Sequence, residues 1–164
     1  MLVTDIVEQV EKSQTYTSWE GRENFYLVHL FYMTGHNWQV GYYNKGTGRI
    51  VTFEANGGVK RLEESDVFQD SPLPLSRLNV ESVKIDYKDA VEKAKIVAEK
   101  HFPHEHIDKE IAVLQETKQG VLYNITFLTR SFKMLNIKID ADKSEVLHYE
   151  LHSLMDMTRK EDIL

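Results

Sequence analysis

The chain contains no cysteine among its 164 residues. This absence excludes thiol catalysis, disulfide bonds and zinc–thiolate sites, and it is compatible with either a reducing or an oxidising compartment. An excess of basic charge is also lacking, because 20 Lys and Arg stand against 26 Asp and Glu, with no basic run longer than a pair such as Lys60-Arg61. The electrostatic attraction that dominates nucleic-acid binding is therefore missing. We do not expect a nucleic-acid partner.

Long hydrophobic runs are absent as well, since no stretch approaches the ~18 apolar residues of a membrane span. The segment from Met1 to Glu8 has neither a basic beginning nor an uninterrupted apolar core, so it does not resemble a secretion signal. With Met1 as the natural start, this predicts a cytoplasmic protein without a membrane span. The alternative is an extracytoplasmic protein whose signal segment has been removed, because the remaining sequence would look the same.

Motifs of catalysis are lacking too. The sequence has no Gly-x-Ser-x-Gly elbow, no phosphate-binding glycine loop and no His-Glu-x-x-His pair, which are the signatures of common hydrolases and nucleotide-binding enzymes. We therefore predict that the protein is not an enzyme and that it needs no cofactor.

A repeated hairpin pattern is the most informative feature that is present. Residues 42–54 and 138–150 each run from an apolar strand through a turn that begins with Asn or Asp into a second strand that ends in glutamate. Such self-similarity indicates that one small unit occurs twice. A chain of this length can bury roughly 70% of its unfolded surface, enough for one compact domain or two packed lobes.

The first unit is predicted to be a helix followed by four strands. Val3, Ile6, Val7 and Val10 share one helical face behind a cap at Thr4, which is typical of a short amphipathic helix. Turn residues then separate period-2 patterns, which predict strands at 15–20, 25–33, 38–43 and 49–54. After residue 61 the periodicity disappears, and Pro72 and Pro74 favour an extended tether.

The second unit repeats this order. Asp86 is a good helix cap, and Tyr87 to Phe102 places alanines on one face until Pro103 ends the helix. Strand patterns then follow at 110–116, 120–130, 133–139 and 145–151. The sequence thus predicts an α+β fold of two repeats, each with one helix packed on a four-stranded antiparallel sheet. The predicted boundaries are 1–61 for the first repeat, 62–83 for the linker, 84–157 for the second repeat and 158–164 for a tail.

The second half resembles the PepSY domain family. That family combines an alanine-rich helix with a proline at its end, a strand with a central tyrosine and a closing hairpin that carries Asp-Ala. These places are filled here by Ala90, Ala94, Pro103, Tyr123, Ile137, Ile139, Asp140, Ala141, Val146 and Leu147. Lys143-Ser144 stands where the family has Thr-Gly, and the first half matches more weakly. The resemblance implies a PepSY-like or cystatin-like helix-on-sheet module that inhibits or modulates peptidases, or acts in regulatory binding, usually outside the cytoplasm.

Two histidine sets are candidate metal ligands. His101, His104 and His106 crowd the end of the second helix, and His148, Glu150 and His152 point the same way on an extended strand. Imidazole and carboxylate groups can bind zinc or nickel. A solvated helix end and the polar face of a half-buried strand produce the same patterns without a metal. We therefore predict that no metal is required.

The segment from Asp140 to Ser144 imitates the opening of a calcium loop. Its sixth position is Glu145 instead of glycine, and its twelfth is Leu151 instead of a bidentate glutamate. A hairpin turn is the better interpretation, with Asp140 accepting hydrogen bonds from the backbone that follows.

The aromatic residues supply the candidate binding surface. Ten of the seventeen lie between Tyr16 and Phe53, and the strand from Phe25 to Met33 is apolar on both faces. Because one helix covers only one face, the other face must be covered by the second repeat, a twin chain, a protein partner or an apolar ligand. The partner-binding candidates are Trp19, Tyr26, Tyr32, Trp38, Tyr42 and Tyr43.

Two functions remain open from the sequence. The first is a non-catalytic regulatory or inhibitory module that binds another protein, a peptidase being one candidate, or a second copy of itself through a sheet face or edge. The alternative is a small-molecule or metal-binding protein with a pocket between helix and sheet or between the repeats.

Overall fold

The fold is one antiparallel sheet with helices packed on one of its faces. The computed structural model describes residues 2–66 and 75–156. Within these residues the α-helices are α1 (Val3–Lys12), α2 (Gln14–Thr17) and α3 (Tyr87–His101). The strands are β1 (Tyr26–Met33), β2 (Trp38–Asn44), β3 (Arg49–Ala55), β4 (Val59–Arg61), β5 (Ser65–Asp66), β6 (Ile107–Thr117), β7 (Gly120–Thr129), β8 (Lys133–Asp140) and β9 (Val146–Ser153).

The order of the strands shows how the two halves of the chain meet. It is β4-β3-β2-β1-β6-β7-β8-β9, with β5 also pairing with β3. Strand β1 pairs antiparallel with β6 from His29↔Gln115 to Met33↔Ile111. The two halves therefore join edge to edge in a single nine-stranded sheet.

The predicted fold of two repeats, each with a helix on its own four-stranded sheet, is wrong. Two features of the structure account for the error. The predicted strand at 15–20 is not formed: residues 15–17 belong to α2, which Ser13 caps by accepting a hydrogen bond from the Tyr16 backbone. The first half therefore starts its sheet with β1, and hydrogen-bonding groups on the edge of β1 are available to β6.

Helices α1 and α3 pack on the same face of the sheet. The predicted apolar face of α1 is confirmed, since Val3, Ile6, Val7 and Val10 are buried, although the helix begins directly after Leu2 and not behind a cap at Thr4. On α3, Asp86 accepts a hydrogen bond from the Tyr87 backbone at 2.8 Å, as predicted for a cap. Small side chains let α3 approach the sheet closely, and these are Ala90, Ala94 and Ala98.

One core lies between these helices and the sheet. It combines the buried faces of both helices with alternate residues of strands from both halves. Leu30 of β1 and Leu114 of β6 lie opposite each other at the junction of the halves, and both belong to this core. A core that crosses the junction indicates one folding unit, which is one of the two possibilities that the length of the chain left open.

The two hairpin turns follow the chemistry that the sequence predicts. The Asn44 side chain accepts hydrogen bonds from the backbones of Gly46 and Thr47. Asp140 accepts from Asp142 at 2.9 Å and from Lys143 at 2.8 Å. The prediction of a hairpin turn at Asp140 is confirmed, and the calcium-loop alternative is not needed to explain this sequence.

The predicted linker at 62–83 contains ordered structure where it is described. Residues 65–66 form β5, and a short 3-10 helix spans Val80–Ser82. Leu78 is buried in the core, and its backbone donates to the Leu27 carbonyl at 2.8 Å. Pro72 and Pro74, which led to the prediction of a tether, lie outside the described residues, as does the predicted tail at 158–164.

Candidate functional site

The sheet has a second face that neither α1 nor α3 covers. Side chains alternate along each strand, and the residues packed under the helices include Leu30, Val40, Ala112 and Leu114. Their neighbours along the strands point the other way. We call this side of β1–β3 and β6–β9 the open face.

One end of the open face is covered by the segment between the halves. Val28, Tyr43 and Ile50 form a small buried cluster there, with Tyr26 and Leu75 packed against it. The Tyr26 hydroxyl donates to the Leu75 carbonyl at 2.6 Å. Part of the second apolar face of β1 is therefore covered by the connecting segment of the chain itself.

The middle of the open face carries four half-buried apolar side chains, which we call the central patch: Phe31, Met33, Ile111 and Val113. Phe31 pairs directly with Val113, and Met33 pairs with Ile111. The four side chains therefore form one contiguous surface across the junction of the two halves. None of the described hydrophobic clusters includes them.

His29 lies beside the central patch and occupies space that Gly41 leaves free. A Cβ atom on Gly41 would lie 2.5 Å from the His29 Nε2 atom, far inside van der Waals contact. The two residues are paired across β1 and β2. Burial lowers the pKa of His29 below its ordinary value. His29 is therefore a neutral, packed side chain at neutral pH.

Beyond the patch the open face becomes polar. Asn136 donates to Asn124 and Thr126 on the neighbouring strand. On β9, Glu150 lies 3.2 Å from His148 Nε2 and 3.0 Å from His152 Nε2. These contacts with His148 and His152 hold the pKa of the Glu150 carboxyl below its usual range.

The two predicted histidine sets differ in their geometry. The structure brings His148, Glu150 and His152 together, whereas His101 stacks on Tyr149 at 4.5 Å between ring centroids. His106 lines a cavity at the end of α3, and the His101 set forms no shared cluster. Among residues 2–66 and 75–156, no group of three or more His, Asp or Glu side chains could hold a metal ion.

Half of the six aromatic candidates lie inside the protein. Trp19, Tyr42 and Tyr43 are buried, so they offer no surface to a partner. Trp19 and Tyr42 contact Tyr16 and Phe53 beneath the helices. Burial, with Glu11 nearby, raises the pKa of Tyr42 far above its ordinary value.

The other aromatic candidates are half-buried. Tyr32 and Trp38 lie on the helix face, where both contact Tyr87 at the beginning of α3. Tyr26 lies on the open face and packs edge-on against Tyr43 at 5.7 Å. The aromatic concentration near the N-terminus thus contributes mainly to the core. Sequence reasoning missed the central patch, although alternating Ile111 and Val113 on a strand with a buried opposite face were a usable signal.

A cavity of about 380 Å³ lies at the end of α3, lined by Lys95, Glu99, His106, Arg130 and other residues. Beside it, Glu105 joins two turns. Lys133 donates to Glu105 at 2.8 Å, and Ser131 donates at 2.5 Å. The hydrogen bond from Lys133, which has the larger effect, and the one from Ser131 lower the pKa of the Glu105 carboxyl to about 2.

Replacing Glu105 by glutamine should destabilise the protein in a pH-dependent way. The low pKa means that the folded state favours the ionised carboxylate. Its contribution to the free energy of unfolding is therefore complete when the pH is above the ordinary Glu pKa of 4.5, and it is lost as the pH falls towards 2. We expect the variant to lose roughly 1–2 kcal/mol of its free energy of unfolding at pH 7. This value is kept low because water around the exposed Lys133 ammonium screens the interaction. Urea unfolding at pH 7 and pH 3 measures this, and an equal difference at both pH values would contradict it.

The two outer edges of the sheet differ in length and composition. Strand β4 has three residues, two of which are Lys60 and Arg61. Strand β9 has eight residues and contains no Lys, Arg or Pro. Edge strands are commonly protected from further pairing by short length, basic charge or proline. The β4 edge has such protection, whereas β9 has none of these three and carries instead a bulge at Leu147, near its beginning.

Comparison with known proteins shows the fold but no family. No protein-family model matches the sequence, and no curated protein matches it. The crystal structure of a putative lipoprotein from Clostridium difficile 630 is similar, with a TM-score of 0.58 and 16% sequence identity over 93% of each chain. At this identity the similarity extends to the fold alone.

The described helices were also assessed as membrane spans. In residues 2–66 and 75–156, no helix is long and apolar enough to cross a membrane.

Proposed function

We propose that this chain is a non-catalytic regulatory or inhibitory module that binds another protein through its open face. The observation that carries this proposal is the central patch, in which Phe31 and Met33 of β1 lie beside Val113 and Ile111 of β6. The patch is contiguous and half-buried, and neither described helix on the sheet packs over it. Apolar surface in the middle of a sheet face, with polar side chains around it, has the anatomy of a protein interface.

The surroundings of the patch favour a protein partner over a small ligand. The Asn136 network and the His148–Glu150–His152 row lie on the same face and offer hydrogen-bonding groups at its rim. An exposed sheet face of this kind suits a broad contact, whereas a small ligand needs a concave site that surrounds it. The edge-to-edge joining of the halves argues against one placement of the alternative ligand pocket, the one between the repeats.

Two weaker observations indicate the kind of regulation and the compartment. The resemblance of the second half to PepSY domains supports a peptidase or another regulated protein as the partner. The similar fold of a putative lipoprotein supports the extracytoplasmic alternative for this chain.

Site-specific photo-crosslinking in cells that naturally make the protein tests the proposal. A benzophenone side chain at Val113 should give a discrete crosslinked protein. The same group at Ile96, an apolar position of α3 that is 63% exposed, serves as the control and should not. The Phe31→Ser variant, with the probe still at Val113, should lose the product. Crosslinking at neither position, or equally at both, would overturn the proposal.

A further inference from the structure

The outer edge of β9 is suited to pairing with another strand. It is eight residues long, it has no Lys, Arg or Pro, and no described strand other than β8 pairs with it. Two of its apolar side chains, Val146 and Tyr149, are 40% and 41% exposed. Unpaired backbone groups along such an edge are a template for strand addition.

The hydrogen bonds that flank β9 show which backbone groups face outwards. The Leu154 backbone donates to Phe132, and the Asp140 backbone donates to Glu145. In an antiparallel ladder hydrogen-bonded and non-hydrogen-bonded pairs alternate. The pairs Leu135↔Leu151 and Ile137↔Tyr149 are then of the non-hydrogen-bonded kind. The N–H and C=O groups of Tyr149 and Leu151 therefore point away from β8, towards the free edge.

We propose that β9 pairs antiparallel with β9 of a second copy of this chain, about a twofold axis at Tyr149. The two nine-stranded sheets then form one continuous sheet in a homodimer. Twofold symmetry suits this contact because the same strand is used on both sides. It also places the helices of both copies on one side and both open faces on the other.

Charge and shape select the second copy as the occupant. With Tyr149 on the axis, His148 of each copy lies opposite Glu150 of the other, while Leu147, the residue at the bulge of β9, lies outside this regular pairing. The His148–Glu150 pair occupies a non-hydrogen-bonded position, where side chains approach most closely. A register with Glu150 on the axis would instead place two carboxylates against each other, which is unfavourable. Strand β9 is thus complementary to β9 of a second copy in the register that buries Tyr149 at the twofold axis.

This dimer rests on the β9 edge, and the proposed function rests on the central patch. Each can fail without the other, because the first is measured by the mass of the purified protein and the second by crosslinking to a different protein.

Sedimentation equilibrium of the full chain tests the dimer. The wild-type chain should be dimeric at micromolar concentration. Glu150→Lys should raise the dissociation constant about tenfold, because it removes the carboxylate that faces the opposing His148 imidazole. The double variant His148→Glu/Glu150→Lys places a carboxylate opposite an ammonium group and should bring the constant back towards the wild-type value. A monomeric wild-type chain, or a double variant no tighter than Glu150→Lys, would overturn the proposal.

The register is tested by an engineered cysteine, since the natural chain has none. Directly opposed, hydrogen-bonded residues in an antiparallel pair have Cα atoms about 5.5 Å apart, within the range of a disulfide bond. The Tyr149→Cys variant should therefore form a disulfide-linked dimer on mild oxidation. The Ile96→Cys variant, exposed on α3, is the control and should remain monomeric on a non-reducing gel. Equal dimer formation by both variants would contradict the proposed axis.

Discussion

Replacing Val28 by aspartate is expected to unfold the protein, whereas the same replacement at Val113 is expected to leave it folded. Both valines lie on central strands and point to the open face. Val28 is only 3% exposed, because Tyr43, Ile50 and Leu75 surround it. Val113 belongs to the half-buried central patch. The difference in outcome therefore reports which part of this face the chain covers by itself.

The expected magnitudes follow from burial. An aspartate at position 28 would place a carboxylate in an apolar cluster without a partner, at a cost of about 3 kcal/mol or more. An aspartate at position 113 can reach water, and we expect a loss of about 1 kcal/mol or less. Thermal unfolding followed by circular dichroism distinguishes the two variants. Unfolding of Val113→Asp to the same extent would show that the patch is internal.

The sequence was most informative about local structure. Capping by Asp86, the buried face of α1 and the hydrogen bonds of Asp140 each depend on residues a few positions apart, and each was confirmed. The pattern at 15–20 was misinterpreted because Thr and Tyr favour strands, while the Ser13 cap and the contacts of Trp19 favour α2.

The joining of the halves could not be predicted in the same way. It depends on which edge of β1 meets which edge of β6, and alternation of side chains specifies faces but not edges. From the apolar residues of β1, the second face of this strand was expected to be covered by the second repeat, a twin chain, a protein partner or an apolar ligand. The structure instead covers part of that surface with Leu75 and leaves the central patch half-buried.

The candidate site was predicted only in part. A second apolar face was recognised in the strand from Phe25 to Met33, but aromatic residues were weighted too heavily as contact residues. Tyr42 and Trp19 fill the core because large rings bury much apolar surface in a small protein. The half-buried surface beside β1 comes instead from aliphatic residues of β6. These residues are far away in the sequence, and the register of the sheet places them next to β1.

Truncating Leu30 or Leu114 to alanine is expected to destabilise both halves of the protein together. The two side chains are 0% and 1% exposed and lie opposite each other across the β1–β6 junction. Each truncation should cost roughly 2–5 kcal/mol, because it leaves a cavity in a core that both halves share. The stability loss of the double variant should differ from the sum of the two single losses, since the two side chains are in contact at one site. Leu2→Ala, at a position 52% exposed, is the matched control and should change stability by about 0.5 kcal/mol or less.

The natural chain allows the two halves to be followed separately during unfolding. Both tryptophans, Trp19 and Trp38, lie in the first half, and Trp38 also contacts Tyr87 of α3, so their fluorescence reports chiefly on the first half. Hydrogen exchange of backbone amides in β7 and β8 reports on the second. If the continuous sheet makes one cooperative unit, both probes should give the same midpoint in the wild type and in Leu30→Ala. A fluorescence transition that precedes the loss of protection in β7 and β8 would show that the halves unfold independently, and the β1–β6 pairing would then contribute little to the free energy of unfolding.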